Sequence, residues 1–358
     1  MNYSNKLGAF SSALGAIRIG CREYSVPISR GISAALTLYL RGQFSLKEIV
    51  GYALYVPAIR ASLPLLISKE RSLARLRSFN PVDDQYKTEN KAIFYRLCKN
   101  AGIPIPETFC TFRQGTGEDR NGRKIHDKHL WLEYFRANLP AHFIIKDVGG
   151  AYASGFGAFE RRQNNYFDSE GKLYQPEDFY QLLSRRSGSE IVIQERLFDH
   201  PELQRLCGFR GLQTMRVNTH LDAGSTSLLF HMIKVIVKGN TSDNFSMGTT
   251  GNLIAFSEAG NDILSGARTL HSCGSGLVTI RRHPETGVSI DGFRIPFWQE
   301  AVELARDAHL RFDSFGYLGW DVAITPTGPK IIEANAWWDP PNYAPTIMTE
   351  DNWRRIFG

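Results

Sequence analysis

Two apolar strands near the C-terminus, in the segment GWDVAITPTGPKIIEANAWWDPP, constrain the fold more than any other feature of the sequence. The Pro-Thr-Gly-Pro between them is a turn signal, so the segment predicts a β-hairpin folded about Thr327. Such a hairpin places Asp321 opposite Glu333 or within one residue of it, and Glu333 shares a strand face with Asn335. Two carboxylates and a carboxamide then converge on one face of a sheet.

These three side chains offer hard oxygen ligands. Mg²⁺ suits them, because proteins usually hold it with one or two carboxylates together with substrate phosphates. The alternative is an amphipathic hairpin whose polar residues are merely exposed, since alternation explains polar positions without any ligand. The hairpin alone leaves both interpretations open.

A second segment, HFIIKDVGGAYASGFGAFERR, runs from an apolar strand through Lys146 into Gly149, Gly150, Gly155 and Gly157. Glycines let backbone amides approach a phosphate closely, and a lysine adds a point charge. The GxxxxGK[ST] of a P-loop is absent, and no apolar helical period follows the glycines, so a dinucleotide fingerprint is not indicated either. The segment predicts a glycine-rich phosphate loop or a plain turn between two strands.

Two cations lie inside apolar strand-like segments, Arg216 in TMRVNTHL and Lys234 in FHMIKVIVKGNTSDNF, with Asp243 and Asn244 in the loop beyond. Cations in such strands need anions, which either a polyphosphate or buried salt bridges would supply. A further apolar segment, EIVIQERLF, could offer backbone groups to a flat base at a domain hinge, but by itself it indicates only a strand.

The remaining pattern is that of a mixed α+β protein with a large, mostly antiparallel sheet component. Residues 1–80 read as helical, and further helices are predicted at about 89–101, 128–138 and 297–312. Residues 113–128 are polar and glycine-rich, which predicts a loop. Besides the segments above, strands are predicted in IPIPETFCTF and SLLFHMIKVIV and, within the C-terminal hairpin, at about 318–325 and 330–335.

The positive charge of the chain is concentrated at its N-terminus. Residues 1–80 contain 11 Lys and Arg against 3 Asp and Glu, whereas the remainder contains 31 against 33. This surplus indicates either affinity for anionic lipid or a solvated helical face. Residues 50–68 are apolar but are interrupted by Pro57, Arg60 and Pro64, which predicts a packed or interfacial helix pair rather than a membrane span.

Other classes of protein fit the sequence poorly. No interleaving of aromatic and basic residues of the RNA-binding kind occurs, which argues against a nucleic-acid partner. The first residues do not show the ordered regions of a signal peptide. The five cysteines are scattered without a CxxC pair, so neither a disulfide framework nor a zinc site is expected, and a cytoplasmic location fits best.

Taken together and in this order, the segments resemble the ATP-grasp superfamily over about residues 80–345. NKAIFYRLCKNAGIPIPETF resembles the opening of the pre-ATP region, and this resemblance implies that Lys91 is a nucleotide-phosphate ligand. The resemblance implies ATP bound by the residues from Lys91 to His200 and Mg²⁺ (or Mn²⁺) bound by the C-terminal triad. The implied nucleotide ligands are Lys91, Lys146, Gly149, Gly150, Ser154, Gly155, Gln194, Glu195, Leu197 and His200, with Glu202 as the alternative to His200 at the ribose; the implied metal ligands are Asp321, Glu333 and Asn335.

The segments QERLFDHPEL, LQTMRVNTHL and SDNFSMGTTGN resemble the branch of this superfamily associated with sugar transfer and surface-polysaccharide loci. The sequence departs from that branch at SMGTTGN, where a Gly-Gly pair is more usual. The resemblance implies an α+β ATP-grasp fold of two lobes gripping ATP. It would comprise a helical N-terminal segment at 1–80, a pre-ATP region and small lobe at 81–190, and a large lobe with the metal triad at 191–358.

The implied reaction joins a carboxylate, activated as an acylphosphate by ATP, to an amine or another nucleophile. Arg216 and Lys234 would be the catalytic cations, and Asp243, Asn244, Trp337 and Trp338 would contact the substrates. A packed C-terminal lid is the equal alternative for the two tryptophans. An ATP-grasp kinase and a non-catalytic nucleotide-binding module are the rival functions. A weak membrane-surface contact through residues 1–80 and an oligomeric state are left open.

Overall fold

The computed structural model describes residues 3–42, 44–63, 65–149, 157–186, 190–237, 239–240, 242–257, 260–344 and 347–357. The chain forms two compact units. The first contains Met1–Val82, Asp199–Pro329 and Asn335–Gly358, and the second contains Asp83–Phe198 and Lys330–Ala334. The three-part division predicted from the sequence stays a prediction.

The secondary structure alternates between helical and strand-rich stretches. The helices are α1 (Tyr3–Glu23), α2 (Ile28–Arg41), α3 (Leu46–Gly51), α4 (Pro57–Ala61), α5 (Lys69–Phe79), α6 (Tyr86–Glu89), α7 (Lys91–Asn100), α8 (Lys128–Asn138), α9 (Pro176–Ser184), α10 (Pro201–Cys207), α11 (Trp298–Arg311) and α12 (Glu350–Phe357). The strands are β1 (Thr108–Arg113), β2 (Thr116–Asp119), β3 (Lys124–Ile125), β4 (His142–Asp147), β5 (Gly157–Arg162), β6 (Asn165–Asp168), β7 (Leu173–Tyr174), β8 (Ile191–Glu195), β9 (Thr214–Asp222), β10 (Ser225–Val235), β11 (Leu253–Phe256), β12 (Gly266–Leu270), β13 (Leu277–Ile280), β14 (Tyr317–Thr325) and β15 (Gly328–Asn335).

The second unit is built on an antiparallel sheet whose described strands follow the order β3-β2-β1-β8-β4-β5-β6-β7. One face of this sheet and the helices α8 and α9 share an aromatic core. Phe143 stacks on Phe159 with ring centroids 5.6 Å apart, and Tyr166 stacks on Phe179 at 4.3 Å. Aromatic residues bury large areas and pack well in offset or edge-on pairs, so this cluster holds the strands in place.

The first unit is built on a sheet with the order β13-β12-β11-β10-β9-β14-β15 among its described strands. Helix α11 packs against β9, β10 and β14. Residues 330–334 in the middle of β15 group with the second unit, whereas Asn335 belongs to the first. The strand that carries two of the predicted metal ligands is therefore divided between the units.

The N-terminal helices belong to the core of the first unit. Residues 52–56 are buried in one hydrophobic cluster with Phe230 and Met232 of β10 and with Trp338 and Tyr343 of the C-terminal tail. The Tyr55 hydroxyl lies 2.7 Å from the Ser275 hydroxyl. The extra helical segment predicted from the sequence is thus packed on the sheet.

Most elements confirm the sequence-based predictions, including the helices α7, α8 and α11 and the strands β4, β8, β9 and β10. The loop predicted at 113–128 is wrong in part, because β2 and β3 lie within it as short strands extending the sheet from β1. Residues 50–68 contain the end of α3, a buried turn and the short helix α4. Among the described residues, no helix combines the length and the apolar character needed to cross a membrane.

Candidate active site

Lys146 lies at the end of β4 in the second unit, where its ammonium group contacts Tyr95 of α7. The Lys146 Nζ donates a hydrogen bond of 3.2 Å to the Tyr95 hydroxyl and lies 5.7 Å from the centre of its ring. The same hydroxyl donates to the backbone carbonyl of Ile332 at 2.7 Å. Tyr95 therefore joins the predicted phosphate lysine to the strand that carries Glu333.

Lys146 is half-buried. Burial lowers its pKa to about 8, although the negative charge of Glu333 opposes this shift. Within the part of the chain that the structure describes, no carboxylate oxygen lies within 4.0 Å of the Lys146 Nζ. A lysine whose pKa is lowered toward neutral pH, and which has no carboxylate close by, is typical of a site that receives an anionic ligand.

Lys91 is positioned by the start of α7. The Asn90 side chain accepts a hydrogen bond of 3.0 Å from the Ile93 N–H and so caps the helix, and the Lys91 N–H donates to the Val148 carbonyl at 3.2 Å. Burial lowers the Lys91 pKa, with Glu333 opposing and Lys146 reinforcing the shift. The two predicted phosphate lysines therefore influence each other electrostatically in one unit.

The glycine-rich segment is described only at its ends. Gly149 is exposed, and a side chain at this position would meet nothing within 4 Å. Gly157 begins β5. Gly150, Ser154 and Gly155 lie outside the described residues, so their predicted contact with the triphosphate stays a prediction.

The predicted hinge residues end the central strand of the second unit. Gln194 is fully buried and donates to the Thr108 hydroxyl at 3.0 Å, and Glu195 forms a 2.8 Å ion pair with Lys330. Leu197 is also buried. The second unit's long segment ends at Phe198, one residue after Leu197. Binding of the adenine base by Gln194–Leu197 stays a prediction.

His200, the residue predicted near the ribose, belongs to the first unit. Its N–H donates to the Ile324 carbonyl at 2.7 Å, and its ring accepts at Nδ1 from the Glu202 N–H at 3.2 Å. The ring meets Phe297 edge-on, with centroids 5.6 Å apart. His200 and Glu202, the two ribose candidates, thus lie together at the start of α10.

A buried charge cluster lies at the centre of the first unit's sheet. Asp321 on β14 is directly opposite Arg216 on β9 and forms a two-point ion pair with it, through Nε and, at 3.1 Å, through Nη2. Lys234 on β10 donates to the same carboxylate at 2.8 Å. Burial alone would raise the Asp321 pKa, but the two cations hold it well below its ordinary value.

Asp321 and Asn335 are the two predicted metal ligands in the first unit. The Asn335 Nδ2 lies 3.5 Å from the Gly319 carbonyl, two residues before Asp321 on β14. Glu333 belongs to the second unit, so convergence of all three residues stays a prediction. No cluster of three or more His, Cys, Asp or Glu suited to a metal occurs among the described residues.

The donor set nevertheless fits Mg²⁺. An ionised carboxylate offers about four lone-pair positions, so Asp321 can bind a cation while it accepts from Arg216 and Lys234. Its lowered pKa keeps it ionised at neutral pH, as a metal ligand must be. Two carboxylates and a carboxamide oxygen are the hard ligands that this ion prefers.

Asn218 was not identified from the sequence, although it lies two residues after Arg216 and so on the same face of β9. It is 1% exposed, and neither polar atom of its amide has a hydrogen-bond partner among the described residues. The residue opposite Asn218 on the neighbouring strand β14 is Gly319, where a Cβ would lie 3.1 Å from the Asn218 Nδ2. A buried amide without partners is costly, which suggests a ligand or a water at this position.

The predicted substrate residues Asp243 and Asn244 are held by the start of β9 and by their own loop. Asp243 accepts from the Thr214 hydroxyl and from the Thr214 N–H at 3.1 Å. The Asn244 carbonyl accepts from the Asn252 Nδ2 at 2.9 Å.

Asp199 lies near Asp243, and burial raises the Asp199 pKa to about 7. Like Asn218, Asp199 was not identified from the sequence.

The two predicted substrate tryptophans differ in their surroundings. Trp338 is 2% exposed and packs between Phe230 and Phe357, with ring centroids 5.6 and 5.9 Å away. Trp337 is half-buried, with the Arg77 guanidinium 5.7 Å from its ring centre. This packing favours the alternative in which Trp338 belongs to a packed C-terminal lid. Contact of either tryptophan with substrate stays a prediction.

Known families and solved structures include proteins similar to this chain. A family model described as sugar-transfer associated ATP-grasp matches residues 71–342, and no curated protein matches the sequence. Similar solved structures include the ATP-grasp ligase PsnB complexed with minimal precursor, at 13% identity and a TM-score of 0.35 over 74% of this chain and 57% of that one. The D-alanine-D-alanine ligase from Helicobacter pylori shows 12% identity and a TM-score of 0.40 over 78% and 62%.

The chain thus spans less than two thirds of the length of these solved chains. The family model, in contrast, covers about three quarters of this chain, including the predicted phosphate lysines, hinge and metal triad. The α+β ATP-grasp fold predicted from the sequence is confirmed. This protein belongs to the sugar-transfer associated ATP-grasp family.

Proposed function

We propose that the protein is an ATP- and Mg²⁺-dependent ligase that activates a carboxylate as an acylphosphate and joins it to an amine or another nucleophile. The proposed substrates are ATP, a small-molecule carboxylate and an acceptor of a surface-polysaccharide or secondary-metabolite pathway. In this proposal the enzyme acts in the cytoplasm, peripheral to the membrane.

The observation that carries this proposal is the environment of Lys146. Its ammonium has a phenol as its hydrogen-bond partner and a pKa lowered to about 8. Keeping such a cation out of water costs free energy in the free protein, and an anionic ligand recovers it. A nucleotide phosphate at the end of β4, beside a glycine-rich segment, supplies the anion that this position requires.

In the first proposed step, a substrate carboxylate oxygen attacks the γ-phosphorus of ATP. The bond between that phosphorus and the β–γ bridging oxygen breaks, giving an acylphosphate and ADP. In the second step the acceptor attacks the acyl carbon, the bond to phosphate breaks, and the acceptor releases a proton. Both steps depend on charge neutralisation and in-line positioning.

The residues of the chain then have separate roles. Lys91 and Lys146 bind nucleotide phosphates, and the segment Gln194–Leu197 with His200 binds the nucleoside. Arg216 and Lys234, already fixed by Asp321, stabilise the transferring phosphoryl group and the acylphosphate. Mg²⁺, held by Asp321, Glu333 and Asn335, would neutralise phosphate charge, and Mn²⁺ has the same ligand preference.

The test is a screen for ADP release by the purified enzyme with ATP, Mg²⁺ and pooled carboxylates and amines. Ligation predicts ADP and inorganic phosphate in equal amounts, together with a new amide or ester seen by mass spectrometry. A phosphorylated acceptor without free phosphate would identify a kinase instead.

Binding is tested separately by thermal denaturation. ATP with Mg²⁺ should raise the melting temperature, because a ligand that binds only the folded state stabilises it. The absence of any shift at millimolar ATP would refute nucleotide binding, and with it both the ligase and the kinase.

A further inference from the structure

Over their described residues, the helices α1 and α2 form a hairpin that packs with one side on the rest of the first unit. Ile17, Cys21 and Ala35 are buried on that side, and a Cβ at Gly31 would lie 2.3 Å from the Cys21 sulfur. The two helices therefore cross too closely for a larger residue at Gly31. The Tyr24 hydroxyl donates to the Ser275 carbonyl at 2.8 Å and fixes the hairpin to the sheet unit.

The other side of α2 exposes large apolar side chains to solvent. Leu40 is 73% exposed, Tyr39 46%, Leu36 40% and Ile28 37%. At 3.6 residues per turn these four side chains fall within an arc of about 120°. On α1, Ile19 is 53% and Phe10 42% exposed. Half of the twelve large exposed hydrophobic residues of the described structure thus lie on this hairpin.

The hairpin is also strongly basic. Between residues 8 and 41 it carries four arginines, Arg18, Arg22, Arg30 and Arg41, all exposed, against the single acidic residue Glu23. The Glu23 carboxylate lies 3.6 Å from a ring nitrogen of His271. Exposed apolar residues combined with arginines are the composition of a helix that lies in a membrane interface.

We propose that the α1–α2 hairpin is a docking surface for an anionic lipid bilayer. The apolar side chains of α2 would enter the boundary between headgroups and acyl chains, while the arginines would pair with lipid phosphates. The proposed function includes a location at the membrane, and this inference identifies the surface that would contact the lipid. It does not depend on the ligase chemistry.

A second copy of the chain is the less suitable occupant. In a symmetric dimer the same surface would face itself, and four arginines from each copy would meet a surface with the same charge. Anionic headgroups complement that charge, and lipid tails accept isolated leucines without requiring a shape-matched partner.

The test is co-sedimentation of the full-length protein with vesicles of phosphatidylcholine alone or with phosphatidylglycerol, at low and high salt and without ATP. Binding should require phosphatidylglycerol and decrease with salt. The double variant Leu36→Ser/Leu40→Ser should partition at least about tenfold more weakly, since two apolar side chains no longer enter the bilayer. Arg30→Ser/Arg41→Ser should lose about fivefold for each arginine.

The matched control is Leu130→Ser/Leu173→Ser, which removes two leucines of the second unit with exposures of 40% and 47%. Its vesicle binding should equal that of the unaltered protein. All these side chains are exposed, so the variants should keep the original melting temperature and its response to ATP.

Three results would overturn the proposal. One is the absence of binding to phosphatidylglycerol vesicles at low salt, and another is binding that the leucine pair of α2 does not affect. The third is a concentration-dependent dimer that Leu36→Ser/Leu40→Ser dissociates, which would make a second copy the occupant. Because no nucleotide is present, none of these results bears on the ligase chemistry.

Discussion

Replacing Lys146 by Met should have opposite effects on the free protein and on its complex with ATP. The fall of the Lys146 pKa from 10.5 to about 8 corresponds to about 3 kcal/mol, at about 1.4 kcal/mol for each unit of pKa. Methionine removes this cost while filling a similar volume, but it also removes the hydrogen bond to Tyr95, worth about 1 kcal/mol. At pH 7 the free variant should therefore be more stable by about 2 kcal/mol.

The pH dependence gives this prediction a second readout. Between pH 8 and about 10.5 the unfolded chain holds the Lys146 proton and the folded chain releases it, so the Lys146 contribution to stability increases with pH. The advantage of Lys146→Met should consequently shrink over this range and give way above it to a deficit of about 1 kcal/mol, because only the lost hydrogen bond to Tyr95 then separates the two proteins. In the original protein, the stabilisation by ATP should weaken as pH rises through 8, because Lys146 then loses its proton and no longer offers a positive charge to the phosphate.

The assay is urea denaturation at pH 7, 8, 9 and 10, combined with thermal shifts produced by ATP and Mg²⁺. Lys172→Met is the matched control, since Lys172 is exposed and lies 5.0 Å from the ring of Tyr174 in a comparable lysine–tyrosine contact. It should change neither stability nor the ATP shift. A Lys146→Met protein that is less stable at pH 7, or that keeps the full ATP shift, would refute the reasoning.

Three further variants test the other parts of the site. Glu333→Gln keeps the shape and removes one anion, so folding should survive while turnover falls by about two decades, about 3 kcal/mol in activation free energy; near-normal turnover would make the hairpin structural only. Asp321→Asn removes the carboxylate shared by Arg216 and Lys234 and should cost about 3–5 kcal/mol in unfolding free energy by urea titration, so a loss below 1 kcal/mol would contradict the buried charge cluster. Asn218→Leu replaces a buried amide without partners and should leave stability unchanged or raise it by about 1–2 kcal/mol, yet lower turnover; a stability loss with full activity would show a structural role.

The apolar residues in these segments were sufficient to predict the strands that carry the candidate site. Arg216 and Asp321 lie in β9 and β14, where nearly every neighbour is buried, so their segments read clearly as strands. Helix α7 was equally readable, because its apolar residues keep a 3.6-residue period between an Asn cap and a terminal Gly. Local pattern thus carried most of the information about these elements.

What the sequence did not reveal depends on long-range packing. The strands β2 and β3 are short and polar, and their pairing with β1 gives them an order that their composition does not indicate. Asn218 becomes noticeable only through burial without partners. The division of β15 between two units likewise results from contacts made elsewhere in the chain, such as the hydrogen bond from the Ile331 N–H to the Pro104 carbonyl.

The hydrogen bonds between the N-terminal helical segment and the C-terminal tail have a consequence for synthesis in the cell. The Asn342 side chain donates to the Ile67 carbonyl at 2.7 Å, and the Arg75 side chain donates to the Ile356 carbonyl at 3.1 Å. Ile67 emerges from the ribosome 275 residues before Asn342. At about 5–20 residues per second, it waits about 15 to 55 s for that partner. During this time the apolar surface of residues 52–56 has no completed core to enter, so the nascent chain is exposed to aggregation until Trp338 and Tyr343 have been made.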